Sequence, residues 1–178
     1  MGVRYAPGMA TLVLTVIGDD RAGLVNALAD VVTAHGGNWE RSQLAELAGK
    51  FAGIVLVRVP DERADELASA LEPLSGLLEV SLHAGSEEPA EAAQHIQVDL
   101  VGNDHPGIVR DVSGVLSRHG ISIEKLITET RDAPMAGGRL FEAHLTAPVS
   151  ADQDLGGLQA DLERLATEIV VDITVAAG

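Results

Sequence analysis

The chain has 178 residues, of which 46% are hydrophobic and 2% aromatic, so it is long enough for two small domains with aliphatic cores. Its formal net charge of −15 would repel a nucleic-acid backbone over most of the surface, which argues against direct nucleic-acid binding. The absence of cysteine excludes disulfides and thiolate metal ligands and fits a reducing compartment. No apolar run is long enough for a membrane helix and no signal-peptide pattern is present, so we expect a cytoplasmic protein without membrane contact.

One sequence unit occurs twice in the chain. The segment 16–25, with the sequence VIGDDRAGLV, returns at 100–109 as LVGNDHPGIV. The shift is the same for the first glycine of each copy (102 − 18 = 84) and for the second (107 − 23 = 84). This constancy predicts two copies of one folding unit.

Both copies show the same order of elements: strand, helix, strand, strand, helix, strand. Strands are predicted from period-two alternation and helices from apolar residues at i, i+4, i+7 and i+8. In the first unit we predict strands over 11–17, 38–47, 54–59 and 78–82, a helix carried by Leu24, Leu28, Val31 and Val32, and a helix over 64–74. In the second unit we predict strands over 95–101, 122–130, 140–147 and 170–175, a helix carried by Ile108, Val112, Val115 and Leu116, and a helix over 155–165.

The ends of these elements are also predicted from residue type. Asp20 and Asp104 are the predicted N-caps of the first helix in each unit. Pro60 and Pro148 are predicted to end the third strands, which gives a shift of 148 − 60 = 88. The second unit would therefore carry four additional residues in the hairpin loop before its third strand.

This order of elements predicts an α+β protein with two ferredoxin-like βαββαβ units in tandem, each a four-stranded antiparallel sheet with two helices on one face. The predicted domains are 10–84 and 95–178, with an N-terminal tail over 1–9 and a polar linker over 85–94.

The open face of each predicted sheet differs between the units. The first unit places Val13, Ile54 and Leu56 there, and such an apolar face calls for a cover. A second copy of the chain, giving a homodimer, and the neighbouring unit are both compatible with the sequence. The second unit has a polar face at the corresponding positions, which are Gln97, Asp99, Glu142, His144 and Thr146.

The repeated loop between the first strand and the first helix is the candidate binding site. It presents the free N–H groups of a helix start and a glycine, Gly23 or Gly107, that allows close approach. A helix N-terminus attracts a carboxylate, and a neighbouring Asp or carbonyl oxygen could accept an ammonium group, which together suit an α-amino acid. Capping and turn formation alone also explain these residue types, so both interpretations stay open.

Other chemistry has little support in the sequence. The six histidines lack the spacing of a zinc site, no serine lies in a nucleophile elbow, and no phosphate-binding loop is present. We therefore expect no metal, no cofactor and no catalytic residues.

The signature DHPGIV at 104–109, with its variant DRAGLV at 20–25, resembles the ACT-domain family over about residues 10–177. Two such units with nothing else resemble the stand-alone double-ACT regulators of the glycine cleavage system transcriptional repressor family. The resemblance implies a non-enzymatic protein that senses a small amino acid, of the glycine or serine class, at ACT–ACT interfaces near this loop. It implies that the signal passes to a partner protein, such as a transcription regulator or a metabolic enzyme. A ligand-independent interaction adaptor is the alternative.

The resemblance also implies ligand-binding residues. In the first loop they are Asp20, Arg21, Gly23, Leu24 and Val25, and in the second Asn103, Asp104, His105, Gly107, Ile108 and Val109. Asn38 and Ser122 are added because the second strand is expected to start beside the loop. Ala22 stands where the signature has proline, so we expect the first loop to be less rigid than the second.

Overall fold

A computed structural model describes residues 8–86, 94–133 and 137–177. The chain divides into two compact units, Met1–Glu88 and Pro89–Gly178. Most of the predicted tail and linker lies outside the described residues, but the first strand begins at Met9 and the first strand of the second unit at Gln94.

The first unit contains one four-stranded antiparallel sheet with the strand order β2-β3-β1-β4. Its elements are β1 (Met9–Asp19), α1 (Leu24–Ala34), β2 (Asn38–Leu47), β3 (Lys50–Pro60), α2 (Ala64–Leu71) and β4 (Glu79–Ala84), with 3-10 turns at Asp61–Arg63 and Glu72–Gly76.

The second unit repeats this arrangement, with the strand order β6-β7-β5-β8. Its elements are β5 (Gln94–Asn103), α3 (Ile108–Arg118), β6 (Lys125–Asp132), β7 (Arg139–Val149), α4 (Leu155–Ile169) and β8 (Val171–Ala177). The predicted α+β architecture of two ferredoxin-like units is confirmed.

Each unit has its own aliphatic core between the sheet and its two helices. In the first unit, alternate residues of β1 such as Leu14 pack with Leu28 of α1 and Leu67 of α2, and all three are at most 1% exposed. In the second unit Val98, Leu116 and others form the equivalent cluster. Full burial of a leucine contributes about 2 kcal/mol, so these layers hold each helix against its sheet.

The two second helices end differently from the prediction. α2 stops at Leu71 rather than at residue 74, because Pro73 lies in the next turn, which is a 3-10 turn. α4 continues to Ile169 and ends where Val170 takes a left-handed conformation with φ 56°. β8 consequently begins at Val171.

The predicted equivalence of Pro60 and Pro148 is wrong. Leu14 pairs with Val55 whereas its repeat, Val98, pairs with Leu145, so the third strands are shifted by 145 − 55 = 90 residues. The segment that joins the paired strands has two residues in the first unit, 48–49, and six in the second, 133–138. At this end of the sheet, the pairing of each strand in the second hairpin extends one residue further than in the first.

Pro148 lies inside β7, which continues to Val149. The pairing of β7 with β6 ends at Thr146, so the N–H that proline lacks is not needed on that side. Because the error of two residues is even, it leaves every side chain on its predicted face.

As predicted, the open face of the sheet is apolar in the first unit and polar in the second. Val13 pairs with Leu56 on the first sheet, next to Ile54, which is 48% exposed. On the second sheet, Nδ1 of His144 lies 2.6 Å from Oδ1 of Asp99. No helix in the described part of the chain is long and apolar enough to cross a membrane.

Candidate functional site

The two glycines of the repeated loop have different structural roles. A Cβ on Gly18 would lie 2.5 Å from the carbonyl oxygen of Leu77, and one on Gly102 would lie 2.2 Å from Cγ1 of Val171. The first glycine therefore lets the strand end pass close to the chain that leads into the fourth strand. The second glycine has a left-handed conformation, with φ 94° at Gly23 and 103° at Gly107.

The prediction that Asp20 and Asp104 are the N-caps of α1 and α3 is wrong. The N-cap residues are Gly23 and Gly107, and neither helix has a side-chain capping hydrogen bond. The carbonyl of Gly23 accepts from the N–H of Ala27 at 2.9 Å, which places the aspartates three residues before the cap. The first-turn N–H groups of both helices consequently lack a side-chain cap.

Backbone hydrogen bonds attach each loop to the neighbouring hairpin. The N–H of Asp20 donates to the carbonyl of Gly49 at 2.9 Å, and the N–H of Asp104 donates to that of Arg139 at 2.8 Å. In the first unit Lys50 also forms an ion pair with Asp19. The hydrogen bond from Lys50 lowers the pKa of the Asp19 carboxyl, so this aspartate is kept ionised.

The second loop has a further attachment through His105. Its Nε2 lies 3.2 Å from the carbonyl oxygen of Ile169, the last residue of α4, and its Nδ1 lies 3.2 Å from that of Pro106. The side chain therefore links the loop to the C-terminal end of α4. The first loop has the exposed Arg21 at this position, 105 − 84 = 21.

An arginine lies beside the start of α3. Nε of Arg110 donates to Oδ1 of Asp111 at 2.8 Å, and this bond is the main cause of a lowered pKa of Asp111, with a smaller contribution from His105. A Cβ on Gly107 would be 3.0 Å from Nη2 of Arg110, so the guanidinium reaches back over the loop glycine.

The structure brings most of the implied ligand residues together in each unit but places them at different depths. Leu24 and Ile108 are 4% and 2% exposed and belong to the interior, whereas Val25 and Val109 are 45% and 43% exposed. The polar and glycine members lie on the loop or at its edge, and they are Asp20, Arg21, Gly23, Asn103, Asp104, His105 and Gly107.

The expectation that the second strand starts beside the loop is wrong. Asn38 pairs with Arg58, which pairs with Thr11 near the start of β1, so it lies about 26 Å from the strand end at Asp19. The end of β2 is the part that approaches the loop. Parallel placement of the first two strands, which a βαβ crossover requires, explains this arrangement.

Ser122 is displaced in the same way and does not belong to a strand. The hydrogen bonds that join this part of the chain to β7 begin only at Glu124, whose N–H donates to the carbonyl of Thr146. Ile121 is 6% exposed and packs in the core, so the preceding segment turns inward before β6 starts at Lys125.

Two cavities of the second unit border the loop. One of about 430 Å³ is lined by Asn103, Gly102, Leu140, Val170 and Asp172 among others. Another, beneath Val109, is almost wholly apolar and has a volume of only about 20 Å³, too small for an amino acid. No group of three or more His, Asp or Glu side chains that could hold a metal ion occurs among the described residues.

Sequence reasoning missed several residues around the loop. They are Lys50 and Gly49, which hold the first loop, and Ile169 and Arg110, which face the second. The sequence AGK at 48–50 carries a turn signal that could have placed this hairpin tip beside the loop. The contact of His105 with Ile169 spans 64 residues and leaves no local signal.

Comparisons with known proteins agree with this architecture. ACT-domain family models match residues 10–85 and 96–167. The glycine cleavage system transcriptional repressor of Escherichia coli (strain K12) is 29% identical over 164 residues, covering 89% of this chain and 85% of that protein.

Two solved structures have the same fold over nearly the full length. A crystal structure of a protein of unknown function from Galdieria sulphuraria has a TM-score of 0.87 and 30% identity, and the match covers 96% of this chain and 99% of that one. A candidate glycine cleavage system transcriptional repressor has a TM-score of 0.70 and 20% identity, with 96% and 98% covered. The repeated loop motif, the two matching sheets and these similarities show that the chain belongs to the ACT-domain family and carries two ACT domains in tandem.

Proposed function

We propose that this protein is a non-enzymatic regulator that binds a small α-amino acid, of the glycine or serine class, at the loop between the first strand and the first helix of an ACT unit. The observation that carries the proposal is the helix start behind a left-handed glycine, Gly23 or Gly107, without a side-chain cap. Homology to a repressor of the glycine cleavage system supports a regulatory role and a ligand of this class.

The polarity of the loop fits a zwitterion. Free N–H groups in the first turn of α3, together with the positive end of the helix dipole, attract a carboxylate. The exposed Asp104 and Asn103 supply side-chain oxygens for an ammonium group on the strand side of the same loop. The loop thereby offers a complementary partner for each end of an α-amino acid.

The second loop is the stronger candidate of the two. Pro106 restricts its backbone, and His105 links it to the end of α4, so less ordering is required when a ligand binds. The first loop has Ala22 and the exposed Arg21 at these positions. We therefore expect tighter binding at the second loop.

The regulatory output is proposed to pass to a partner protein, such as a transcription regulator or a metabolic enzyme. The charge of −15 makes a nucleic acid a poor direct target, because most of the surface repels phosphate. Ligand binding would change the surface that the ACT units expose to that partner.

A thermal-shift screen of the full chain against the common amino acids tests the proposal. A ligand that binds only the folded state raises its stability by about 2.7 kcal/mol at a hundredfold excess over Kd. We expect glycine or serine to raise Tm more than the larger amino acids. An unchanged Tm with every amino acid at millimolar concentration would contradict the ligand and favour the adaptor.

A pair of variants on one helix locates the site. Gly107→Ala and Gly120→Ala both replace a glycine of positive φ, at opposite ends of α3, so both incur a backbone cost, and the ligand-induced rise is measured against each variant's own Tm without ligand. We expect only Gly107→Ala to weaken the ligand-induced rise in Tm. Equal rises in the two variants would contradict binding at the second loop.

A ligand-independent adaptor is the second candidate function. The small size of the apolar cavity beneath Val109 favours it, because this part of the unit has no room for a buried ligand. Binding of the partner protein with the same affinity in the presence and absence of every amino acid would support this candidate.

A further inference from the structure

An open groove of about 360 Å³ runs between α3 and α4 of the second unit. We call it the arginine groove and define it by Arg110, Gly114 and Arg118 on α3 and by Asp161, Arg164 and Glu168 on α4. It shares Arg110 with the surroundings of the second loop, whereas its other defining residues lie further along α3 and on α4.

The spacing of these residues places them along two facing stripes. Residues 110, 114 and 118 follow one another at i, i+4 and i+8, and residues 161, 164 and 168 at i, i+3 and i+7, so each set shares one side of its helix. Three of the chain's 12 lysine and arginine residues therefore line one groove.

The arginines on α3 have no counterpart in the first unit. At the positions 84 residues before Arg110, Gly114 and Arg118, the helix α1 has Asn26, Asp30 and Ala34. The arginine groove thus distinguishes the second unit from the first although the two share one fold.

Two of the guanidinium groups are held in place by neighbouring carboxylates. Nε of Arg110 donates to Asp111, and Nη2 of Arg164 lies 2.9 Å from Oδ1 of Asp161. The other oxygen of Asp161 lies 2.9 Å from Nε2 of His119. Each ion pair uses only part of the guanidinium, so further N–H donors stay available for an anion. Because the side chain is already held in place, it loses less conformational entropy when the anion binds.

The third guanidinium, that of Arg118, differs from the other two. Arg118 makes no ion pair or hydrogen bond with any residue that the structure describes. It is exposed and lies one turn after Gly114, on the same stripe.

Packing does not explain the glycine at the middle of the groove. A Cβ on Gly114 would meet one atom within 4 Å, Nη1 of Arg118 at 3.8 Å, so alanine would fit. Glycine is one of the least favourable residues inside a helix. Its effect at this position is to leave the space between Arg110 and Arg118 open, because a longer side chain would project into the groove.

We propose that the arginine groove binds a small organic or inorganic anion with more than one charged oxygen-bearing group, either a phosphate compound or a polycarboxylate. Guanidinium forks recognise the paired oxygens of both. A large polyanion is repelled by the surrounding charge of −15, whereas a small anion inside the groove responds mainly to charges within the Debye length of about 8 Å. Asp111, Asp161 and Glu168 also line the groove and balance the three arginines in formal charge, so binding depends on the guanidinium N–H donors that point into it. Asp111 and Asp161 are paired with Arg110 and Arg164, and Glu168 opposes binding.

Isothermal titration calorimetry on the full chain tests the proposal, with pyrophosphate and citrate as probes at a fixed ionic strength of about 0.15 M. Arg118→Gln should weaken binding about tenfold, since a hydrogen bond to a charged group is lost. Gly114→Leu should block binding by filling the groove. Glu168→Gln should strengthen it. Lys125→Gln, which removes one positive charge from β6 of the same unit, is the matched control and should leave the Kd within about twofold.

The outcomes separate the two sources of anion. Binding of pyrophosphate alone assigns a phosphate compound, and binding of citrate alone assigns a polycarboxylate. Failure of both probes to bind at millimolar concentration would overturn the proposal, as would equal loss of affinity in Arg118→Gln and Lys125→Gln. The variants change residues 114, 118 and 168 and leave the loop and Arg110 intact, so a loss of anion binding in Arg118→Gln and Gly114→Leu assigns the anion to the groove rather than to the loop.

Discussion

Gly102→Ala tests the role of the first glycine in the repeated loop motif. The added Cβ would lie 2.2 Å from Cγ1 and 2.7 Å from Cβ of Val171, distances at which atoms must move. Overpacking of this kind costs about 1–3 kcal/mol, and the rigid pairing of β5 with β8 around this point favours the upper part of that range. We therefore expect Gly102→Ala to lower the free energy of unfolding by about 2–3 kcal/mol.

A second substitution identifies the cause. Val171→Ala removes Cγ1, the atom nearest to the new Cβ, but keeps the Cβ and Cα of residue 171 at 2.7 and 2.9 Å, so the rescue should be partial. The double variant should be less destabilised than the sum of the two single effects, with a coupling of at least about 0.5 kcal/mol. At the equivalent Gly18, the nearest atom is a backbone oxygen of Leu77, 2.5 Å away, which no side-chain change removes. Gly18→Ala should accordingly resist rescue by a substitution at Leu78.

Urea unfolding with an unchanged m-value provides the measurement. Gly156→Ala is the control within the same unit, because a Cβ there meets only Oδ1 of Asp154 at the ordinary distance of 3.6 Å. A Gly102→Ala variant as stable as the Gly156→Ala control would refute the close-approach explanation. Strictly additive effects of Gly102→Ala and Val171→Ala would show that Cγ1 of Val171 is not the obstacle.

Three other predictions concern stability and assembly. The hydrogen bond from His119 lowers the pKa of Asp161 below its usual 3.8, so the ionised carboxylate stabilises the fold fully above pH 3.8 and less as the pH falls further. Asp161→Asn should remove this stabilisation at neutral pH and flatten the decline of urea stability between about pH 5 and 3. An unchanged acid profile would contradict this prediction. Asp154→Ala removes the cap that accepts from the N–H of Gly157 at 2.9 Å and should cost about 1 kcal/mol, whereas an unaltered urea midpoint would show that the cap is dispensable. The homodimer stays a prediction, and it requires that Ile54→Lys shift the sedimentation coefficient from that of a dimer to that of a monomer; a dimer that persists would place the contact elsewhere.

The sequence was sufficient for the architecture because each element has a strong period. Leu12, Leu14 and Val16 alternate inward as predicted, and the helix spacing selects Leu28 and Val32 for the core. The error of two residues in matching Pro60 with Pro148 was harmless to this result, because strand periodicity repeats every two residues.

The loop was predicted less completely than the fold. Residue type suggested Asp20 and Asp104 as caps, but a cap depends on where the first helical residue lies, and the left-handed glycines determine that. Asn38 was expected beside the loop, although strand direction places it at the other end of the sheet. The link from His105 to Ile169 joins distant parts of the chain, and a single sequence does not encode such contacts in any local pattern.

Titration of the isotopically labelled full chain with glycine and with serine, followed through backbone amide resonances, tests the central claim most directly. Binding of an amino-acid carboxylate at the helix starts predicts that the amides of residues 107–110 shift first and those of 23–26 at higher concentration, while the amide of Gly120 at the far end of α3 stays in place. Shifts confined to other parts of the chain, or no shift at saturating concentrations of either amino acid, would contradict ligand binding at these loops.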